Sequence, residues 1–221
     1  DFNLLYLLMI CVPVLLFYAR KDSHCLQNNN RNGREFYAEK EGFMTKKELR
    51  AAMKKQNLSL SPEERAAASG RIFRRVAESG PFGTARCVAF FCALPDEPAT
   101  EEALARWGSA RRIVVPRVGG DAMRFFDYVP GALRAGAFGI AEPDGDAMPC
   151  EPSEIDLIVV PGTAFTQAGA RMGRGRGFYD KYLSQPGFRG VKVGVCYAHQ
   201  LVGALPVEPH DVFMDYVITN G

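Results

Sequence analysis

The chain has 221 residues, 47% of them hydrophobic, with 27 basic against 25 acidic side chains and a formal net charge of +2. That is enough apolar material for one ordinary α/β domain with a sizeable core, and too little charge imbalance to make nucleic-acid binding a property of the whole surface. Six cysteines, at 11, 25, 87, 92, 150 and 196, form no CxxC pair or Cys/His zinc spacing and sit in apolar or strand-like runs, which suits buried free thiols in a reducing compartment.

Asn3 to Tyr18 is an apolar run followed by Arg20 and Lys21. It is shorter than the roughly 20 residues that span a bilayer, contains Pro13, and lacks a basic segment before it. A polar, weakly patterned stretch leads from there to Met44. Lys40-Glu41-Gly42 can be back-translated as a bacterial ribosome-binding sequence just before the Met44 codon. Residues 1–43 are therefore read as translated upstream sequence, with a leader or membrane anchor as the alternative, and residues 44–221 as the domain.

Helix signals begin at once. Thr45 with Glu48 makes a capping box, and Ser61-Pro62-Glu63-Glu64 makes another with proline at the first helical position; Ile72, Phe73 and Val76 supply the buried stripe of the second helix. Lys46 and Arg50, four apart, share one face of the first helix, which by spacing alone is a solvated basic face. Arg86 to Ala93 reads as a strand. A loop with Asp96 and Glu97 follows, and Thr100 is expected to cap a helix running to about Trp107. Arg112 to Val118 and Met123 to Val129 read as strands, Gly131 to Pro149 as a loop-rich stretch containing Phe138, and Val191 to Tyr197 and Tyr216 to Thr219 as the last strands. Strands alternating with helices give an α/β fold: a single domain, a largely parallel sheet, helices on both faces. In such sheets ligands sit outside the carboxyl ends of the strands, so Glu97 and the loop described next should share a rim.

The organising stretch is Ile155 to Leu183. A β-branched run, Ile155 to Val160, stops at Pro161-Gly162. Then comes a loop in which Arg171, Arg174 and Arg176 alternate with Gly169, Gly173, Gly175 and Gly177, leading into Phe178, Tyr182 and Leu183 at helical spacing. Glycines let backbone N–H groups approach a ligand closely, and guanidinium groups and a helix start both favour phosphate oxygens. The run matches neither a P-loop nor a dinucleotide fingerprint, so on composition it is either an oligophosphate loop or a structural turn. Asp180, next to that loop, is either a first-turn acid or a ligand for Mg²⁺ bridging to phosphates. Asp211 has the same two readings, turn acid or metal ligand. Phe138 either stacks on a flat ligand or plugs the core.

The run VPGTAFTQAGARMGRGRGFYDKYL resembles the signature of the 5-formyltetrahydrofolate cyclo-ligases. Further agreement comes from KKELR at Lys46 to Arg50, LPDEPAT around Glu97, Met123-Arg124-Phe125, GAFGIAEP from Gly136 to Pro143, and the terminal PVEPHDVFMDYVIT. The resemblance spans Met44 to the end and leaves residues 1–43 without a counterpart. It implies cyclisation of 5-formyltetrahydrofolate to 5,10-methenyltetrahydrofolate at the expense of ATP, with Mg²⁺, in the cytoplasm. By carry-over, Arg174 and Arg176 stabilise the transferring phosphoryl group. Lys46, Arg50, Gly173, Gly175, Gly177, Phe178 and Tyr179 complete the ATP site; Cys92, Glu97, Phe138 and Tyr179 hold the pterin; Asp180 and Asp211 hold Mg²⁺. Two positions depart from the family pattern. Thr166 stands where the family has Asp, which puts that acid's part in loop ordering or metal contact in question, and Phe178 replaces a Tyr. Competing readings are an ATP-dependent phosphotransferase on another small molecule, a nucleic-acid binder using the Arg-Gly loop, and a membrane-tethered protein if residues 1–43 are an anchor. The resemblance implies no nucleic-acid partner, and no membrane partner for residues 44–221.

Overall fold

The computed structural model describes residues 44–136 and 139–221; residues 1–43, and with them the reading as upstream sequence or anchor, and Phe138 lie outside the described residues. Both capping boxes form. Thr45 Oγ1 accepts the Glu48 N–H at 3.2 Å while Glu48 Oε2 accepts the Thr45 N–H at 2.7 Å, starting α1 (Lys46–Leu58), and Ser61 and Glu64 do the same for α2 (Pro62–Ala77). These reciprocal bonds satisfy helix N–H groups that have no partner within the helix. After a short α3 (Gly80–Thr84), β1 is only Cys87–Ala89, shorter than the expected Arg86 to Ala93. The chain leaves the ladder once its residues turn toward the rim.

Then follow α4 (Glu101–Gly108), β2 (Arg112–Gly119), β3 (Ala122–Asp127), β4 (Leu133–Ala135), β5 (Ala141–Pro143), β6 (Pro149–Cys150), β7 (Leu157–Pro161), β8 (Ala164–Phe165), β9 (Arg171–Met172), α5 (Phe178–Leu183), β10 (Val191–Val195) and β11 (Tyr216–Ile218). Thr100 stands at the start of α4 without capping it. Its hydroxyl accepts the Ala93 N–H at 3.1 Å instead and ties the loop after β1 to the helix that follows. The stretch expected to be loop-rich carries the β4–β5 hairpin and β6.

Seven strands form one sheet in the order β11-β10-β7-β1-β2-β3-β6, with β11, β10, β7, β1 and β2 parallel, β3 antiparallel to β2, and the edge strand β6 antiparallel to β3. Strand residues alternate between two apolar clusters. Val88, Val115, Leu157, Val159 and Val193 pack beneath α2, α3 and α4, whereas Ala89, Val114, Ile158 and Val160 face Tyr182 and Leu183 of α5. From β1 the chain moves one way through α4 to β2; from β7 it moves the other way through α5 to β10. Right-handed crossovers in opposite directions put their helices on opposite faces and open a crevice where the direction reverses. That crevice lies between the carboxyl ends of β1 and β7. Helix α1 stays off both faces: Leu49 and Met53 pack on Ala164 and Met172 of the β8–β9 hairpin, which sets the helix at the rim.

Candidate functional site

The loops leaving β1 and β7 meet at this crevice, around a cavity of about 630 Å³. Its wall includes Lys46 and Arg50 from α1, Cys92 and Glu97 after β1, Gly173 to Asp180 after β9, and Asp211 near the carboxyl terminus. Every described residue singled out in the sequence for ATP, pterin or metal therefore faces one space.

The loop after β1 is held from three directions. Arg65 of α2 donates to the carbonyls of Leu94 and Glu97 at 3.1 and 3.2 Å, the Tyr197 hydroxyl donates to the Glu97 carbonyl at 3.0 Å, and Asn57 Nδ2 donates to the Asp96 carbonyl at 2.9 Å. This holds two buried carboxylates, of which Glu97 lines the cavity. Glu97 Oε2 accepts the Leu94 N–H at 3.0 Å, Oε1 accepts Arg174 Nε at 2.9 Å, and Asp96 Oδ1 accepts Arg174 Nη2 at 2.7 Å. Burial raises the Glu97 pKa above the usual carboxylate range, with Arg174 pulling against it. Cys92, also buried, has its thiol pushed up to about 12 by the same desolvation.

The glycine-rich segment is shaped by positive φ at Gly175 (94°) and Gly177 (69°), a region that side-chain-bearing residues rarely adopt. Among the described residues the N–H groups of Arg174, Gly175 and Gly177 have no hydrogen-bond acceptor, so they remain available to an anion. Helix α5, which Gly177 precedes, has six residues, so the phosphate-favouring field expected of a helix start reduces to these loop donors. Arg50 Nε donates to the Gly173 carbonyl at 2.9 Å and its guanidinium lies beside Gly175, which joins α1 to the loop. Lys46 Nζ meets Glu208 Oε1 at 2.7 Å. Arg176, Phe178 and Tyr179 complete this wall, with Phe178 and Tyr179 packed on the α5 side of the core.

Arg171 escaped assignment in the sequence. Its side chain is 4% exposed; Nη2 pairs with Asp180 Oδ2 at 2.9 Å, Nη1 donates to the Pro161 carbonyl at 3.3 Å, and the guanidinium lies 5.4 Å above the Tyr179 ring. It pins the first turn of α5 to the end of β7. Asp180 Oδ1 also accepts the Val212 N–H at 3.4 Å, and Asp211 Oδ2 accepts the Glu208 N–H at 2.7 Å, so the two carboxylates are tied to one another's surroundings. Each oxygen named accepts a single bond and keeps a lone pair, a donor set that fits Mg²⁺ shared with phosphate oxygens and water. Among the described residues no group of three or more His, Cys, Asp or Glu side chains forms an all-protein metal cage.

Two departures noted in the sequence now have local accounts. Thr166 is buried inside the β8–β9 turn, where its hydroxyl accepts the Ala170 N–H at 3.1 Å and its own N–H donates to the Ala170 carbonyl at 3.0 Å. An aspartate would supply the same acceptor, so the turn is closed without the charge. Phe178 keeps an aromatic ring against the core. The loop sits in the crevice between strand ends. No helix among the described residues is long and apolar enough to cross a membrane.

Comparison with known proteins converges on one group. A model of the 5-formyltetrahydrofolate cyclo-ligase family matches residues 43–220. A 5-formyltetrahydrofolate cyclo-ligase of Mycolicibacterium smegmatis is 37% identical over 115 residues, which cover 49% of this chain and 59% of that protein. The Escherichia coli protein of the same name is 28% identical over 174 residues, covering 76% of this chain and 96% of its own length. Among solved structures, the 5,10-methenyltetrahydrofolate synthetase of Aquifex aeolicus superposes with a TM-score of 0.72 at 31% identity, over 79% of this chain and 89% of that one.

Proposed function

The chain belongs to the 5-formyltetrahydrofolate cyclo-ligase family, and from that premise we propose that residues 44–221 form a cytoplasmic enzyme that cyclises 5-formyltetrahydrofolate to 5,10-methenyltetrahydrofolate, with ATP converted to ADP and phosphate. The observation that most supports this reading is the single cavity at the reversal of strand order, into which the expected ATP, pterin and metal residues converge.

An amide-like formyl carbon is a poor electrophile. In the proposed reaction the formyl oxygen attacks the γ-phosphorus of ATP and ADP leaves. The resulting imidate phosphate is open to attack by N10, which closes the ring and expels phosphate. The chain must align oxygen and phosphorus and balance charge on the phosphoryl oxygens. Free N–H groups of the glycine loop, with Arg174, Arg176, Arg50 and Lys46, supply that charge and those donors. Asp180 and Asp211 would hold Mg²⁺, which when bound neutralises charge on the phosphates.

Arg174 gives this scheme its order. It is engaged by Asp96 and Glu97. A pterin donating its N–H groups to Glu97 replaces the Arg174 Nε bond and frees the guanidinium to turn toward phosphate. Cys92 and Tyr179, which line the same cavity, would contact the pterin.

The test is the appearance of methenyltetrahydrofolate absorbance with 5-formyltetrahydrofolate, ATP and Mg²⁺, for the full chain and for residues 44–221. Product that needs all three is expected from both. ATP cleavage without methenyl product would instead assign the phosphotransferase reading, with another small acceptor. Asp180→Asn, which keeps an acceptor for Arg171, should abolish Mg²⁺-dependent turnover with the fold retained by circular dichroism, and an active variant would remove Asp180 from the metal site.

A further inference from the structure

The cavity uses Cys92 and leaves a second group of sulfur atoms unexplained. Cys87 opens β1 at the end of the strand opposite the cavity, and Cys150 ends β6, yet their Sγ atoms stand 3.9 Å apart. Both are buried, at 5% and 6% exposure, and neither lines the cavity. Cys196 is also buried, but among the described residues neither it nor Cys92 has a sulfur neighbour within contact distance.

The two thiols are held differently. The Cys87 backbone is fixed from both sides by Asp156: its N–H donates to Asp156 Oδ2 at 2.9 Å and its carbonyl accepts the Asp156 N–H at 3.0 Å. Cys150 ends a two-residue edge strand whose other residue, Pro149, is exposed and which follows the exposed Met148, so a short fraying opens its sulfur to small solutes. The Arg112 guanidinium favours a thiolate on Cys87, whose pKa lies below the usual thiol value chiefly because Cys150 hydrogen-bonds to it. Tyr182, whose buried hydroxyl has no partner among the described residues, packs in the same apolar cluster as both sulfurs.

We propose that Cys87 and Cys150 form a reversible dithiol–disulfide couple, oxidised by peroxides, that staples the β6 edge to the base of β1. One sulfur of the pair, as thiolate, attacks one peroxide oxygen, the O–O bond breaks, and with uptake of a proton a sulfenic acid and one water result. The other sulfur then attacks that sulfenic sulfur, the S–O bond breaks, and a second water leaves. Two thiols and one hydrogen peroxide thus give one disulfide and two waters, and a small dithiol reverses the change. Closure requires the sulfurs to approach from 3.9 Å to about 2.05 Å, a movement that falls to the short edge strand.

The experiment treats the full-length protein with graded hydrogen peroxide, alkylates the remaining thiols under denaturing conditions, and maps peptides by mass spectrometry without reduction. Oxidation of Met148, 66% exposed, reports the effective dose. A Cys87–Cys150 linked peptide is expected to accumulate at doses that leave Cys92 and Cys196 alkylated, and to vanish on dithiothreitol treatment. The oxidised protein should unfold roughly 5 °C or more higher, because the link closes a long loop in the unfolded chain. Cys150→Ser and Cys87→Ser should each abolish the link, and a dimedone-reactive sulfenic acid on the remaining cysteine identifies the sulfur that meets the peroxide. The proposal is overturned if Cys87 and Cys150 stay fully alkylated once Met148 is oxidised, or if the dominant link joins any other pair. The mapping on unaltered protein decides this even where a serine variant does not fold, and it is independent of whether the cavity turns over folate.

Discussion

The body of the sheet and the rim at its carboxyl ends are stabilised in different ways. In the body, Val88, Leu157, Val159 and Val193 are buried from all sides by one another and by helices, an arrangement held by non-directional apolar burial and close packing. At the rim, the cavity wall is a set of matched charges: Lys46 with Glu208, Arg171 with Asp180, Arg174 with Asp96 and Glu97. Two of the cations expected at phosphate, Lys46 and Arg174, are held by the protein's own carboxylates. The body tolerates changes that conserve volume, whereas a rim residue cannot be lost without stranding a partner's charge.

Substitutions can break or sharpen this contrast. The largest effect is expected for Arg171→Ala, which leaves Asp180 partly buried and unpaired. Urea denaturation should show a loss of about 3–5 kcal/mol, together with loss of turnover; a loss below about 1 kcal/mol would mean that the rim is not held by its charge pairs. Next, Leu157→Ala in the body should cost about 2–5 kcal/mol while leaving turnover per folded molecule near the parent value at low temperature. A selective fall in folate affinity would show instead that body and rim are not separable.

Glu97→Gln is expected to act through pH. Burial raises the folded-state pKa of Glu97, so its contribution to stability is fully present below the unfolded glutamate pKa and is lost as pH rises through the folded value. The unfolding free energy of the parent minus that of the variant should therefore fall as pH rises across that window. A flat difference would mean that Arg174 cancels the desolvation of the carboxylate. The smallest effect on stability is expected for Lys46→Ala, whose partner Glu208 is largely solvated: about 0.5 kcal/mol or less. Its KM for ATP should nevertheless rise on the order of tenfold with kcat little changed, as for a group that binds ground and transition states alike.

Most of the body was legible in the order of residues. Capping boxes at Thr45 and Ser61 and the run before Pro161 depend on near neighbours and on local periodicity; both boxes formed where expected, and the strand formed as Leu157–Pro161, two residues later in its start than the run read as Ile155 to Val160. Thr100 shows where such reading stops. Its hydroxyl had two uses, and the one that won, accepting the Ala93 N–H, depends on how the chain returns after β1. Arg171 and Asp96 were overlooked for the same reason. Nothing local distinguishes an arginine that clamps Asp180 from one that faces a ligand, or an aspartate that shares Arg174 with Glu97 from a loop acid. Cys87 and Cys150 lie far apart in sequence and in no recognised spacing, so their contact had no signature to find.

By itself the sequence determined the parallel α/β class, the glycine-rich loop with its basic side chains, and the family, because hydrophobic period, turn chemistry and a long motif are all carried by residues close in the chain. Only the tertiary structure decided which cation faces which carboxylate, that α1 sits at the rim instead of on a sheet face, and that two distant cysteines touch. Those outcomes follow from crossover direction and long-range packing, and a buried charge or thiol acquires its chemistry from the neighbours that packing brings to it.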